Sequence, residues 1–336
     1  MDKHVQNKVM YTSTDKRIIT MKTNFLKNSF FAAVVLFSTI VFGQQDPEYT
    51  QYMYNMSVIN PAYATANEGV VKLGGIYRAQ WVGIDGAPRT GMFFAHTPVN
   101  DKVELGLNIV HDEIGDVVQE TNLNADFAYK LRVFEEGELS LGLKAGATFF
   151  NTDFTSLQLS SGNSTTDNAF DENINRTYPN IGIGAFYFSD NYYVGLSAPN
   201  LLSGKHLENK DGLKTLGKEA VHYFLTGGYV YDINPDFKLK PSFMARAVGG
   251  APVTVDLNAN VLMYERLEAG IGYRLGDAIT AMANFEVKPG LRIGYAYDYT
   301  TSNLGEYSNG SHEIMVLFDL DFFGFMPGYM KSPRFF

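Results

Sequence analysis

The fold is legible in residues 253–299, VTVDLNANVLMYERLEAGIGYRLGDAITAMANFEVKPGLRIGYAYDY, which form four short alternating segments separated by tight turns. In the first, Val253, Val255, Leu257, Ala259, Val261 and Met263 alternate with Thr254, Asp256, Asn258, Asn260 and Leu262. In the second, Leu267, Ala269, Ile271, Tyr273 and Leu275 oppose Glu268, Gly270, Gly272 and Arg274. Ile279, Ala281, Ala283, Phe285 and Val287 then oppose Thr280, Met282, Asn284 and Glu286, and Leu291, Ile293, Tyr295, Tyr297 and Tyr299 oppose Arg292, Gly294, Ala296 and Asp298. A period of two places each set on its own face of a strand. One face is continuously apolar and ends in aromatics. The other mixes charges with Gly, Ala and Asn. That pairing of faces predicts an all-β, antiparallel transmembrane barrel with an apolar outside, a polar inside and aromatic girdles.

Composition agrees. The 336 residues include 21 Tyr, 25 Phe and 32 Gly, only 19% are charged, and there is no Cys. Without Cys there is neither a disulfide framework nor a thiolate metal site. Residues 21–43 read as a secretory signal peptide: Lys22 and Lys27 precede an apolar run over 30–42, which ends at Gly43 before Gln44. That run is shorter than the ~20 residues a spanning helix needs. Residues 1–20 are polar and read as a misassigned N-terminal extension. Residues 1–43 carry six basic and two acidic side chains, so the remainder holds 21 basic and 34 acidic, a net of −13. Such an acidic chain argues against nucleic acid as a partner. With no later stretch long enough for a membrane helix, strands are the spanning solution left, which places the protein in an outer membrane.

Working outward from residues 253–299, fourteen strands are expected between residues 70 and 321. They are preceded by a mature N-terminal segment, 44–69, and followed by a periplasmic tail, 322–336. The connections after even-numbered strands are short (99–102, 134–137, 189–191, 232–236, 264–266 and 288–290), and every long one (155–177, 199–220 and 301–310) follows an odd-numbered strand. Short turns face the periplasm and long loops face outside. Fourteen strands spaced ~4.8 Å apart and tilted near 40° give a backbone radius of roughly 14 Å. Side chains do not fill that, so the lumen is wet or plugged, with 44–69 and 155–177 as candidate plugs.

Signals for chemistry are weak. His96, His111, His206, His222 and His312 show no metal-ligand spacing. The glycines from Gly270 to Gly276 lie within an alternating strand, not at a strand-to-helix turn, and there is no nucleophile elbow. The loop 155–177 carries Asp167, Asn168, Asp171, Glu172, Asn173 and Asn175 without calcium-loop spacing. No cofactor and no enzymatic activity are expected. Lumen-facing Glu104, Asp126, Lys144, Asp256, Glu268, Arg274, Glu286, Arg292, Asp298, Glu313 and Asp319 either set ion selectivity or pair across strands and stiffen the wall. In the tail, Phe336, like Phe318 in the last strand, is a candidate assembly signal, the alternative being a docking tail.

The mature N-terminus carries a more specific pattern. Gln45-Asp46-Pro47, Tyr49 to Asn55 (YTQYMYN) and Ile59 to Tyr63 (INPAY) resemble the opening of the PorP/SprF family. The resemblance continues through Tyr77 to Thr90 (YRAQWVGIDGAPRT), Asp112 to Gly115 and the closing Ser332 to Phe336. It covers essentially the whole mature chain. It implies an outer-membrane barrel of the type IX secretion system of Bacteroidetes, which docks or anchors a secreted substrate or gliding adhesin through that partner's C-terminal domain. It also implies contact with other secretion components on the periplasmic side. The residues that carry it, and the candidates for partner binding, are Tyr49, Gln51, Tyr52, Asn60, Pro61, Tyr63, Arg78, Gln80, Trp81, Gly83, Gly86, Pro88 and Arg89. The first block is expected to begin on the periplasmic side, and the second to span strand one and its outward loop. The alternative function is a passive or hydrophobic-ligand-selective channel.

Overall fold

A computed structural model describes residues 48–63, 70–115, 117–134, 137–153, 158–159, 162–163, 173, 175–202 and 220–321. The extension, the signal peptide, the tail and most of loops 155–177 and 199–220 lie outside the described residues. The elements below belong to one unit, Gln44–Gly249 with Val253–Phe336.

Fourteen antiparallel strands form the wall. They are β1 (Val70–Ala79), β2 (Arg89–Pro98), β3 (Val103–Ile114), β4 (Val118–Phe134), β5 (Gly137–Thr152), β6 (Asn175–Ser189) and β7 (Tyr192–Ala198). They continue as β8 (His222–Tyr229), β9 (Phe237–Val248), β10 (Thr254–Met263), β11 (Leu267–Arg274), β12 (Ala278–Lys288), β13 (Leu291–Thr300) and β14 (Ser311–Asp321). Each strand pairs with its sequence neighbours, and β1 pairs with β14 from Val70↔Asp321 to Ala79↔His312, so the sheet closes into a barrel. Closure removes the free sheet edges. Beyond Val230, β8 continues as Tyr231–Asn234, paired with β9 alone. A two-residue hairpin, Gln158–Leu159 with Gly162–Asn163, lies in the long loop after β5.

The alternation seen in the sequence is the alternation of the wall. Leu257, Ile271, Ile279, Phe285 and Ile293 face outward and are exposed, whereas Asp256, Asn258, Asn260, Thr280, Asn284 and Asp298 point inward and are buried. Exposed Tyr77, Tyr223, Tyr273 and Tyr299 lie near the long-loop end, and Tyr129, Tyr192, Tyr229 and Tyr264 near the other. These are the two aromatic belts of a membrane barrel. The β10–β11 turn places both Tyr264 (φ 51°) and Glu265 (φ 57°) in the left-handed region, and Arg266 N–H donates to the Met263 carbonyl at 3.0 Å. That is the turn whose twist matches a two-residue hairpin.

The lumen is less polar than the sequence pattern suggests. Met92, Phe94, Phe186, Phe188, Met244, Met282 and Met315 all point inward and are buried. The reason is that the lumen is filled. Residues 48–63 run through it as a 3-10 turn (Tyr52–Tyr54) and one helical turn, α1 (Met56–Ile59), and the inward Met and Phe side chains pack against Tyr52, Met53, Met56 and Ile59.

Candidate functional site

Residues 48–63 plug the barrel. At their upstream end, Glu48 pairs with Arg246 and, at 3.0 Å, with Arg274. Burial pushes the Glu48 carboxyl up, but Arg274, Arg246 and Arg78 together outweigh it and hold the group below the ordinary carboxylate value. Next, the Thr50 and Gln51 N–H groups donate to the Glu313 carboxylate at 2.9 and 2.8 Å, and the Thr50 hydroxyl donates to Asp298 at 2.6 Å. Arg78 closes this cluster, donating to Thr50 Oγ1 at 2.9 Å and to Asp298 Oδ2 at 2.8 Å.

Further along, the Tyr52 hydroxyl meets Ser242 and Asn258, and the Tyr54 hydroxyl accepts from Asn284. Lys144 Nζ donates to the Val58 carbonyl at 3.0 Å, and the Ser197 hydroxyl donates to the Ile59 carbonyl at 2.9 Å. At the downstream end the Tyr63 ring sits edge-on to His96 and Phe186. The wall makes room by omitting side chains: a Cβ at Gly142 would overlap the main chain of Pro61–Ala62, and one at Gly184 would overlap the Asn60 amide.

These contacts fix the direction of the segment. Arg78, Arg246 and Arg274 lie at the long-loop ends of β1, β9 and β11, while His96 lies near the short-turn end of β2. The chain therefore enters the described lumen at the long-loop end and descends to the short-turn end, the end at which β1 begins. With the short turns assigned to the periplasm, the described part of the first block begins at the opposite end, which corrects the expectation that it begins on the periplasmic side. A pattern of aromatic and polar residues carries no direction; only the ion pairs of Glu48 supply one.

The wall charges anticipated from the sequence do point inward, and they pair. Asp126–Lys144 (3.4 Å) and Arg274–Asp256 (2.7 Å) join residues directly opposite one another, as do Glu286 and Arg292 (3.6 Å). His96 contacts Glu104 at 2.9 Å. Lys240, bonded to Glu268 at 2.9 Å, and Arg246 were missed, although both fall on the inward parity of β9. Glu48 had no sequence signal beyond its place beside the first block.

The thirteen candidate residues divide into two groups that meet. Tyr49, Gln51, Tyr52, Asn60 and Pro61 are buried in the plug, Tyr63 is half-buried there, and Arg78 is buried in the wall. Gln80, Trp81, Gly83, Gly86, Pro88 and Arg89 form the surface loop after β1 or its rim, with Gly83, Gly86 and Arg89 exposed. Val82 N–H donates to the Gly310 carbonyl (2.8 Å), Asn309 N–H to the Val82 carbonyl (2.7 Å), Trp81 N–H to Ser311 Oγ (3.1 Å) and Gly115 N–H to the Gly86 carbonyl (3.0 Å). Trp81 (φ 47°), Gly83 (φ 100°) and Gly86 (φ 75°) take left-handed conformations that let the loop fold back on the rim. Arg78 and Glu313 stand just below this loop and hold the plug.

Among the described residues no group of His, Asp and Glu is placed to hold a metal ion. Asp167, Asn168, Asp171 and Glu172 lie outside the described residues, and Asn173 donates to Asp153 at 3.3 Å. A small cavity remains between the plug and the β3–β8 wall, lined in part by Asn108, Asn122, Asn124 and Asn180.

Closed barrel, lipid-facing apolar belt and polar inner wall together define an integral outer-membrane β-barrel protein. The chain belongs to the PorP/SprF family of type IX secretion system membrane proteins, whose model matches residues 41–318. A search of curated proteins finds no match. Among solved structures the chain is similar to a TodX deltaS2S3 mutant monoaromatic hydrocarbon channel (10% identity, TM-score 0.47, covering 80% of this chain and 94% of that one). It is also similar to the CymD monoaromatic hydrocarbon channel (13%, 0.45, 83% and 94%) and to the Acinetobacter baumannii outer membrane protein Omp33 (9%, 0.44, 74% and 97%). At these identities the likeness concerns the barrel fold alone.

Proposed function

We propose that this barrel is a non-enzymatic docking component of type IX secretion, which receives a secreted protein or surface adhesin at its outward loops and links it to secretion components on the periplasmic side. The observation that carries this reading is the loop 80–88. It is exposed at Val82, Gly83, Asp85 and Gly86, yet four hydrogen bonds tie it to Asn309 and Gly310 before β14, to Ser311 at the start of β14 and to Gly115 after β3. A surface held in one conformation before binding loses little entropy on binding. Family membership supplies the setting, and the filled lumen speaks against a passive, always-open pore.

Deleting the gene and comparing surface proteomes tests the reading. Loss of one or a few large surface proteins with bulk secretion intact indicates a dedicated docking protein, and loss of all cargo indicates a core component. An unchanged surface proteome rejects a role in secretion. Within the chain, Trp81→Ala with Arg89→Ala is expected to lower surface display of the cargo at least tenfold while the barrel still assembles. Unchanged display would reduce Trp81 to an interfacial anchor.

A further inference from the structure

We propose that the lumen is a gated path for small hydrophilic solutes, closed by residues 48–63 and opened by withdrawal of that segment from the barrel. This does not rest on the docking reading.

The wall does not need the plug. Each of the fourteen strands is paired on both sides by other strands, including β1 with β14, and the segment adds no strand to the sheet. The polar contacts described between it and the wall run through wall side chains such as Glu313, Lys144 and Ser197, with the bond from the Asn60 amide to the Ala185 carbonyl reaching the wall's main chain. Removing it breaks no ladder. Much of the charged wall beneath it is paired within itself through Lys240–Glu268, Arg274–Asp256 and Asp126–Lys144, so these ions keep their partners when water enters the lumen, and Arg246 is the wall charge that exchanges Glu48 for water.

The plugged state also leaves polar groups unsatisfied. Gln51 Oε1, Asn55 Oδ1, Ser57 Oγ and Arg78 Nε are buried without a hydrogen-bond partner among the described residues. Each is a cost that water would relieve. The buried side chains of Tyr49, Tyr52, Met53, Tyr54, Met56, Ile59 and Ala62 and the ion pairs of Glu48 hold the segment against this. The apolar contacts make the closed state the resting one.

Because opposite charges alternate along the wall, the open path is expected to discriminate little between small cations and anions.

The test uses the full chain, which has no native Cys. Ser57 is buried and its hydroxyl has no partner, so Ser57→Cys is a mild reporter. In cells, a thiol reagent small enough to cross the outer membrane is expected to label the introduced thiol slowly. Adding Glu48→Gln, or Arg246→Gln as a second route, removes one partner of a buried ion pair and should raise the labelling rate about a hundredfold. The same latch variants in planar bilayers are expected to show long openings where the unmodified barrel stays shut. Heat-modifiable migration on gels checks that each barrel is folded. If both folded variants stay closed and the introduced thiol stays unlabelled, the segment is a permanent filler and the proposal is wrong. A steady open pore in the unmodified protein overturns it as well.

Discussion

At the scale of single residues, Glu48 is the most informative position. Its carboxyl is held below its ordinary value in the plugged state, and the sign of the pH effect follows. The stabilisation is fully present above the unfolded value near 4.5 and is lost as pH falls through the lower folded value. Acidification below about pH 4 is therefore expected to loosen the plug. A bilayer conductance titration checks this: openings should appear on the acid side only, and Glu48→Gln should flatten the profile. Gly142 is the second such residue. Its missing side chain leaves room for the main chain of Pro61–Ala62, so Gly142→Ala forces backbone apart. We expect a loss of about 1–3 kcal/mol in stability, as for overpacking elsewhere, with the barrel still closed. Thermal unfolding followed by gel mobility measures it. Neither effect was legible in the sequence. A glycine on an inward face reads as a small residue until the element lying against it is known.

At the scale of elements, the strands were legible almost throughout. The expected strand order and number hold, and the boundaries differ by a few residues. The strand expected over 221–231 stops at Tyr229 and resumes at Tyr231. Alternation survives because a wall with lipid on one side and polar groups on the other selects every second residue independently. That makes the outer face testable: Ile271, 69% exposed in the middle of β11, should cost about 2–4 kcal/mol when changed to Arg, read from unfolding titrations in vesicles. One edge is also guarded. β7 ends at Ala198 opposite Ile183, and the Ile181 carbonyl accepts from Leu201 N–H at 2.7 Å. Odd-numbered residues of β6 thus turn their main-chain groups toward β7. Above Ile181 no described strand meets that edge, and Pro179 places its missing N–H there. Proline on an open edge blocks pairing with another chain. Pro179→Thr restores the donor and is expected to increase self-association, measured by crosslinking in detergent.

At the scale of the whole molecule, a closed barrel and a threaded segment make one object with two ends. The two family blocks look like separate motifs in the sequence. In the structure they meet, because Arg78 and Glu313 bind Thr50 and Gln51 from just beneath the loop that carries Trp81. A surface loop and a lumen plug so connected predict coupling. Substitutions that loosen the plug, such as Glu48→Gln, should also change the protease sensitivity of loop 80–88 in folded protein, whereas Ile271→Arg should not.

The sequence by itself determined the barrel and its strand number, because both follow from local alternation and from the spacing of the turns. The inward direction of the wall charges was equally determined, by parity alone. Whether those charges conduct or pair depended on which strands lie side by side, and the register supplied it. The state of the lumen depended on contacts between residues up to 263 positions apart, such as Thr50 with Glu313. No local period encodes a segment that touches many strands once each. Only the tertiary structure could decide that residues 48–63 fill the barrel, and in which direction they run.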